Sequence, residues 1–260
     1  MRASIAPFWL MLARLVSGLL DFALPRVCLG CGAHRDDASP DAPDDPGRLV
    51  CSGCLEGLRP LPEPRCARCG HPARRGRPCP LCPHLPGVLA WGRSAVWATD
   101  PGPQALLHAF KYGGWPTLDA CLADWMAPLG PPAVAPCRRG VLVPVPMAAT
   151  KQRERGYNQA ERLARALGRR WGWPVRSDLV AKIRTTKAQA QLHAGERAAN
   201  IQGCFAPAPG ARLHRLQCVL VDDVVTTGAT LAECANALAG AGADSISFIT
   251  FGRARAPGER

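Results

Sequence analysis

Two adjacent carboxylates and three threonine hydroxyls occur within residues 222–230, Asp-Asp-Val-Val-Thr-Thr-Gly-Ala-Thr. The apolar run before them is typical of a buried parallel strand, and the residues after them have the pattern of a helix. Backbone amides at a helix N-terminus favour phosphate, and glycine allows close approach. Paired carboxylates can hold a ribose diol directly or through Mg2+, so the segment predicts a site for a phosphorylated ribose rather than a purely structural turn. The expected ligand-binding residues are Asp222, Asp223, Thr226, Thr227, Gly228, Ala229 and Thr230.

Eight of the 13 cysteines form four Cys-x-x-Cys pairs, a spacing typical of metal ligands. One tight turn can direct both sulfurs of a pair at a tetrahedral ion, so four pairs predict two structural zinc sites. A disulfide framework is the alternative, but we expect no secretory signal, and repeated pairs in a reducing cytosol favour metal. Joining neighbouring pairs is the simplest assignment, although an interleaved one also satisfies the spacing. The expected ligands are Cys28, Cys31, Cys51 and Cys54 in one site and Cys66, Cys69, Cys79 and Cys82 in the other.

Positive charge is concentrated in the middle of the chain. The formal net charge is +12, and residues 138–197 contain 14 Lys and Arg against 4 Asp and Glu. Such a stretch suits a phosphate-rich ligand such as a nucleotide, pyrophosphate or nucleic acid. Arginines between residues 162 and 170 have helical spacing, so a solvated helix face explains that part of the charge equally well.

The elements that must position these groups form an α/β domain preceded by a smaller module. A chain of 260 residues with 47% hydrophobic residues is long enough for both. We expect a cysteine-rich module at residues 25–88 and a parallel sheet flanked by helices at residues 89–260. The predicted strands are residues 140–146, 218–221 and 245–251, and the predicted helices are residues 104–109, 158–171 and the segment after residue 230.

The first 24 residues are apolar but are interrupted by Arg14 and Asp21. The run is too short and too broken for a membrane span, and no small-residue cleavage site marks it as a signal peptide. Its apolar residues recur at helical spacing, so we predict an amphipathic helix at residues 1–24 that packs on the rest of the protein. Peripheral membrane contact is the minor alternative. We therefore expect a cytoplasmic protein without a transmembrane segment.

Several motifs together resemble the ComF/ComFC competence family, which combines a double zinc ribbon with a type I phosphoribosyltransferase domain. Besides the loop and the cysteine pairs, they are Phe-Lys-Tyr-Gly-Gly at 110–114, Val-Pro-Val-Pro at 143–146, Arg-Glu-Arg-Gly-Tyr-Asn-Gln-Ala at 153–160 and Glu-Arg-Ala-Ala-Asn-Ile at 196–201. The resemblance covers nearly the whole chain. It implies a type I phosphoribosyltransferase-like sheet, phosphoribosyl pyrophosphate bound with Mg2+, and a role in DNA uptake.

The resemblance also implies a loop that meets the pyrophosphate, at residues 147–156 of this chain. Lys151, Arg153 and Arg155 place three cations in five residues next to a strand end, which is a sensible contact for a diphosphate. A solvated basic turn is the alternative. Lys111, in the motif at 110–114, can also reach a phosphate.

Residues 182–200 resemble the mobile loop that closes over the substrate in these enzymes. Closure excludes water and supplies a cation to the leaving pyrophosphate. Lys187 is our first choice for that catalytic role and Arg184 our second, although either can also be exposed and inert. Tyr112 can stack on a base or pack in the core, and we favour the core.

Three functions are compatible with the sequence. The first is a competence-type protein that binds phosphoribosyl pyrophosphate and acts in DNA uptake. The second is a nucleotide-salvage or biosynthetic phosphoribosyltransferase whose acceptor the sequence does not indicate, and the third is a nucleic-acid-binding adaptor without catalysis. The expected partners are phosphoribosyl pyrophosphate or a related phosphorylated ribose, single-stranded DNA and DNA-uptake proteins. The sequence shows no stacking platform of interleaved aromatics, so DNA binding depends on charge and on the resemblance.

Overall fold

The computed structural model describes residues 27–34, 49–73, 76–131, 139–184 and 201–255. The helix expected at residues 1–24 and the residue Lys187 lie outside the described residues. The chain divides into two compact units, Met1–Gly57 and Leu58–Arg260. The segment boundaries expected from the sequence, 1–24, 25–88 and 89–260, stay predictions.

In the first unit, the described residues form a cysteine knuckle and a short helix. The knuckle is closed by an antiparallel bridge between Val27 and His34. The helix, α1, spans Ser52–Gly57 and carries one of the second pair of cysteines, Cys54. Few of these residues are buried, so the metal site is the main source of order available to this part of the unit.

The second unit is built on a parallel sheet of four strands in the order β1-β6-β5-β2, with a separate antiparallel pair, β3-β4. The strands are β1 at Leu89–Trp97, β2 at Arg139–Pro144, β3 at Val180–Lys182, β4 at Phe205–Pro207, β5 at Leu216–Val225 and β6 at Ser245–Arg253. The helices are α2 at Pro101–Tyr112, α3 at Leu118–Met126, α4 at Ala149–Arg155, α5 at Gln159–Trp171 and α6 at Ala229–Gly240, with 3-10 turns at Cys82–His84 and Ala127–Leu129.

Alternate residues of the strands pack on opposite faces of the sheet. Val141 and Val143 of β2 join a core cluster that also contains residues of α6, whereas Leu142 between them faces Gly168 of α5. Because both faces are covered, the central strands are apolar without alternation, as the run at residues 218–221 indicated. The expected fold class, a parallel sheet flanked by helices, is confirmed.

Two expected boundaries differ in the structure. Strand β5 continues through Asp222 and Asp223 to Val225, because its pairing with β6 extends beyond the point where β2 ends. The segment at residues 147–156 is largely helical rather than a loop, since α4 consists of good helix formers and is ended by Gly156 in the left-handed conformation. Neither difference moves these side chains away from the carboxyl edge of the sheet. No helix in the described part of the chain combines the length and the apolar character needed to cross a bilayer.

Candidate functional site

A tight turn joins β5 to α6 and forms the centre of the candidate site. Gly228 is the N-cap of α6, has φ +81°, and as a glycine has no side chain to cap the helix. The hydroxyl of Thr227 accepts a hydrogen bond from the Ala229 amide (3.4 Å), and Thr226 is exposed at the turn. The arrangement presents backbone amides and hydroxyls at a helix N-terminus, which is the arrangement that binds phosphate.

The acidic pair lies inside β5, near its carboxyl end, and Val224 and Val225 separate it from this turn. Asp222 Oδ1 accepts a hydrogen bond from the Asp223 amide (2.9 Å), and Lys111 Nζ lies 2.9 Å from Asp223 Oδ1. The side chains of Lys111 and Asp223 are only 24% and 12% exposed. Burial acts to lower the pKa of Lys111, but the charges of Asp223 and Asp222 outweigh it and raise that pKa. Lys111 therefore stays positively charged and acts as counter-ion to Asp223.

The carboxyl of Asp222, by contrast, has no opposite charge strong enough to offset its burial. Burial raises the pKa of its carboxyl to about 7, and the charge of Asp223 adds to the effect, while Lys111 and Lys182 oppose it. A raised pKa means that the negative charge on Asp222 is poorly stabilised in this structure. Hard oxygen ligands at a strand end fit Mg2+ or ribose hydroxyls, and a cation bound there would relieve this charge.

Lys182 is a functional candidate that sequence reasoning missed. It is the last residue of β3, half-buried, with its Nζ 5.4 Å from the centroid of the Phe205 ring. Burial lowers the pKa of Lys182, the charge of Lys151 lowers it further, and Asp222 and two cysteines act in the opposite direction. In the sequence Lys182 was only the first residue of the expected mobile segment. A lysine at the end of a short apolar strand, Val180–Lys182, is the signal that could have identified it.

The basic helix α4 lies at the same edge of the sheet as the acidic pair. β2 and β5 are parallel neighbours, so the segments that follow their carboxyl ends meet there. Lys151 and Arg153 are exposed, whereas the Arg155 guanidinium lies 4.9 Å from the centroid of the Tyr112 ring. Tyr157, just after α4, donates a hydrogen bond from its hydroxyl to the Phe110 carbonyl. This bond connects α4 to the end of α2 that carries Lys111.

The prediction that Tyr112 packs in the core is wrong. Its side chain is 69% exposed, because it is the last residue of α2 and points away from the buried face that Phe110 occupies. Trp115, three residues later, is 42% exposed. Arg184 is exposed as well and donates a hydrogen bond to the Gln202 carbonyl (3.5 Å). The structure thus brings together the acidic pair, Lys111, Lys182 and the turn, with the α4 cations nearby, while Lys187 lies outside the described residues.

The eight paired cysteines form two tetrads of neighbouring pairs. Within each tetrad the sulfurs all lie within 4.8 Å of one another. A tetrahedral ion with Zn–S bonds of about 2.3 Å requires sulfurs about 3.8 Å apart. The Cys31–Cys51 and Cys66–Cys82 sulfur distances, 3.9 and 3.6 Å, fit this requirement. The twelve cysteines in the described part of the chain are free thiols, which argues against a disulfide framework.

Backbone amides support the thiolate form in the first tetrad. The amides of Gly30 and Cys51 donate to Cys28 Sγ at 3.3 and 3.2 Å. Burial alone would raise the pKa of Cys28, but these amide contacts lower it to about 6. Gly30 is required by close approach, since a Cβ there would lie 2.9 Å from Cys54 Sγ. The residues present therefore fit a structural zinc ion.

The chain matches two protein families in succession. Residues 19–83 match the double zinc ribbon domain, and residues 153–260 match the phosphoribosyl transferase domain. The first match contains both cysteine tetrads, and the second contains strands β3 to β6 and the turn before α6.

Three curated proteins illustrate the similarity over most of the chain. The chain is 30% identical over 215 residues to Competence protein F of Haemophilus influenzae, covering 79% of this chain and 90% of that protein. It is 31% identical over 207 residues to DNA utilization protein YhgH of Salmonella typhimurium, covering 76% and 87%. It is 28% identical over 213 residues to Competence protein ComFC of Bacillus subtilis, covering 79% and 85%.

Proposed function

This chain belongs to the ComF/ComFC competence family, and we propose from that premise that it binds phosphoribosyl pyrophosphate with Mg2+ and acts in DNA uptake. The observation that carries the proposal is the junction of β5 and α6, where two carboxylates near the end of the strand precede a tight turn and a helix whose N-cap residue is glycine. The names of the relatives, competence protein and DNA utilization protein, support the biological role. A reducing cytoplasm suits a protein with eight ligand thiols.

Each part of the ligand has a matching group at this edge of the sheet. The hydroxyls of Thr226, Thr227 and Thr230 and the amides of the turn bind the 5-phosphate. Asp222 and Asp223 bind the ribose hydroxyls, and Lys111 keeps Asp223 charged and oriented. The basic side chains of α4 bind the diphosphate. The residues assigned to the diphosphate are Lys151, Arg153 and Arg155.

Mg2+ would be held between the acidic pair and the diphosphate, where it neutralises negative charge on the ligand. The raised pKa of Asp222 indicates the place where an added cation is most stabilising. Lys187 and Arg184 are the residues proposed to reach the leaving group in the enzyme version of this function, in which a phosphoribosyltransferase breaks the bond between ribose C1 and the diphosphate and joins C1 to an acceptor nitrogen. There the protein acts by positioning and by charge stabilisation.

Calorimetric titration of phosphoribosyl pyrophosphate into the zinc-loaded protein, with and without Mg2+, tests the proposal. We expect Mg2+-dependent binding that is lost when Asp222→Asn and Asp223→Asn are combined. Asp178→Asn is the matched control, because Asp178 is an exposed carboxylate paired with Arg176 away from the turn. Absence of binding by the wild-type protein would refute the proposal. Pyrophosphate release in the presence of a panel of bases and amines would identify the enzyme version.

A second function, binding of single-stranded nucleic acid, is favoured by the exposed aromatic side chains near the basic helix. Tyr112 with Arg155 over one face, and Trp115 three residues later, form a platform of the kind on which bases stack. The sequence alone did not indicate this platform, since it favoured Tyr112 as a core residue.

Fluorescence anisotropy with a labelled oligonucleotide, measured over a range of salt concentrations, tests this function. Tyr112→Ala should weaken binding by about 1 to 3 kcal/mol, the typical worth of one stacked base. Val88→Ala removes another exposed apolar side chain and should leave binding unchanged. Binding that is absent, or insensitive to salt, would exclude this function.

A further inference from the structure

The second cysteine tetrad is part of the same core as the phosphate-binding turn. Cys69 is completely buried, and it belongs to one core cluster with Leu81, Leu85 and residues of β5 and α6. The tetrad, the sheet and the turn all lie in the unit Leu58–Arg260. A metal site placed there can affect the site that binds the ligand through direct packing.

The first direct contact joins Leu85 to Gly228. Leu85 follows the 3-10 turn Cys82–His84, which begins with a tetrad cysteine. A Cβ at residue 228 would lie 2.6 Å from Leu85 Cδ2 and 3.5 Å from Leu81 Cδ1. The two leucines therefore lie directly against the N-cap of α6, and the position of the tetrad determines the position of that cap.

The second contact is made by Arg253, the last residue of β6. Its side chain is only 1% exposed, and Nη2 donates a hydrogen bond to the Cys69 carbonyl (2.6 Å). Within the described residues, its Nε has no hydrogen-bond partner. A buried cation requires negative charge nearby, and the contact with Cys69 places Arg253 beside the cluster of four tetrad sulfurs. Zinc bound by four thiolates has a net negative charge, so the loaded tetrad supplies the counter-ion.

Arg253 is also paired in register with Val225, the residue before the turn. Strand β6 carries Arg253 opposite Val225 of β5, and the Val225 carbonyl accepts a hydrogen bond from the Ala254 amide (2.9 Å). The tetrad thus contacts the end of β6 through Arg253, and the end of β6 is hydrogen-bonded to the end of β5. The turn is supported from both sides, at Val225 and at Gly228.

Arg68 ties the two knuckles of this tetrad to each other and to Leu85. Its guanidinium donates to the carbonyls of Leu89 (3.0 Å), Leu85 (3.2 Å) and Cys82 (3.4 Å). Arg68 lies between Cys66 and Cys69 in the chain. A displacement of the Cys66–Cys69 knuckle therefore also displaces the segment around Leu85, which contacts Gly228.

We propose that the second tetrad, when it holds zinc, positions the phosphate-binding turn, with Leu85 and Arg253 as the positioning residues that connect the two. The effect on ligand affinity rests on the function proposed above, whereas the effect on the turn itself does not. The metal in this tetrad thereby has a role in the ligand site.

Amide hydrogen exchange of residues 219–231, zinc content and calorimetric affinity for phosphoribosyl pyrophosphate together test the proposal. Leu85→Ala should retain two zinc ions yet speed exchange in 219–231 and weaken ligand binding, each by about tenfold or more, because a leucine contact against the turn is lost. Cys79→Ser should lose one zinc ion and have the same effects. Cys31→Ser is the matched control: it should lose one zinc ion from the first tetrad without changing exchange or affinity.

Exchange in β1 distinguishes positioning from general loss of stability. Acceleration confined to residues 219–231 supports the proposal, whereas equal acceleration in Leu89–Trp97 would overturn it. An equal effect of Cys31→Ser and Cys79→Ser on the turn would overturn it as well. If the wild-type protein fails to bind the ligand, the proposed function fails, but the exchange pattern still decides this inference.

The charge contact has its own test. Arg253→Met should make the second tetrad release zinc to a chelator about tenfold faster, because the loaded site loses its buried counter-ion. Arg255→Met removes a cation two residues later that instead pairs with Asp100, and it should leave release unchanged. Equal release rates in the two variants would remove Arg253 from the proposal.

Discussion

At the residue scale, Asp222 is a carboxylate whose charge destabilises the folded protein. Burial raises its pKa from 3.8 to about 7, so the carboxyl of Asp222 binds a proton more tightly in the folded protein than in the unfolded chain. The free energy of unfolding should therefore fall as pH rises through this window. Such a cost is characteristic of a group kept for binding rather than for stability.

Asp222→Asn should remove that cost, because the amide is neutral at every pH and its Oδ1 can still accept from the Asp223 amide. We expect the free energy of unfolding in urea to exceed that of the wild type by about 1 to 3 kcal/mol at pH 8, and by much less at pH 5. The Asp178→Asn variant should instead have a lower free energy of unfolding than the wild type at pH 8, since the hydrogen bond from Arg176 lowers the pKa of Asp178 and is lost with the charge. An equal difference at both pH values would contradict the assignment.

Lys111 provides the second prediction at this scale. Lys111→Met leaves Asp223 in the site without its counter-ion, and the free energy of unfolding at pH 8 should fall by about 1 to 3 kcal/mol. Adding Asp223→Asn removes the unpaired charge and should restore most of the loss. Urea unfolding of the two single variants and the double variant measures this coupling. Strictly additive effects would mean that the pair contributes nothing to stability.

At the element scale, the sequence predicted those features that depend on local pattern. The apolar run of β5, the helix expected at residues 158–171 and the glycine of the turn are all visible within a few residues. The extension of β5 to Val225 was not, because it depends on pairing with β6. Lys182 and the exposure of Tyr112 were missed for the same reason, since each depends on which segments the fold brings together.

The turn between β5 and α6 can be tested through its glycine. Gly228→Ala combines strain at φ +81° with a clash against Leu85, whereas Gly242→Ala has a similar φ of +90° and nothing within 4 Å of the added Cβ. We expect a loss of about 1 kcal/mol for Gly242→Ala and about 2 to 4 kcal/mol for Gly228→Ala. Thermal and urea unfolding of the two variants measures the difference. Equal losses would show that Leu85 yields readily and supports the turn little.

At the scale of the whole molecule, the two tetrads have the same ligands but different surroundings. Cysteine spacing alone indicated two sites, because metal geometry is local, but it left an interleaved pairing open, and the structure groups the neighbouring pairs. The spacing did not indicate that the second tetrad is built into the core of the sheet, since the contacts to Gly228 and Arg253 join residues that are far apart in the sequence. The first tetrad lies in a unit whose described residues bury little beyond Cys28 and Val50.

This difference predicts unequal consequences of losing the first metal. Cys28→Ser should reduce zinc content from two ions to one and make residues 49–57 sensitive to protease, because the described residues of this unit bury little apolar surface and the metal supplies their folding energy. Six of the seven tryptophans lie in the second unit, so the thermal transition followed by tryptophan fluorescence should stay within about 2 °C of the wild type. Cys66→Ser is the comparison, since it also leaves one zinc ion but should lower this transition markedly. If both variants lowered it equally, the first tetrad would stabilise the sheet as much as the second does, and the separate role argued for the second tetrad would fail.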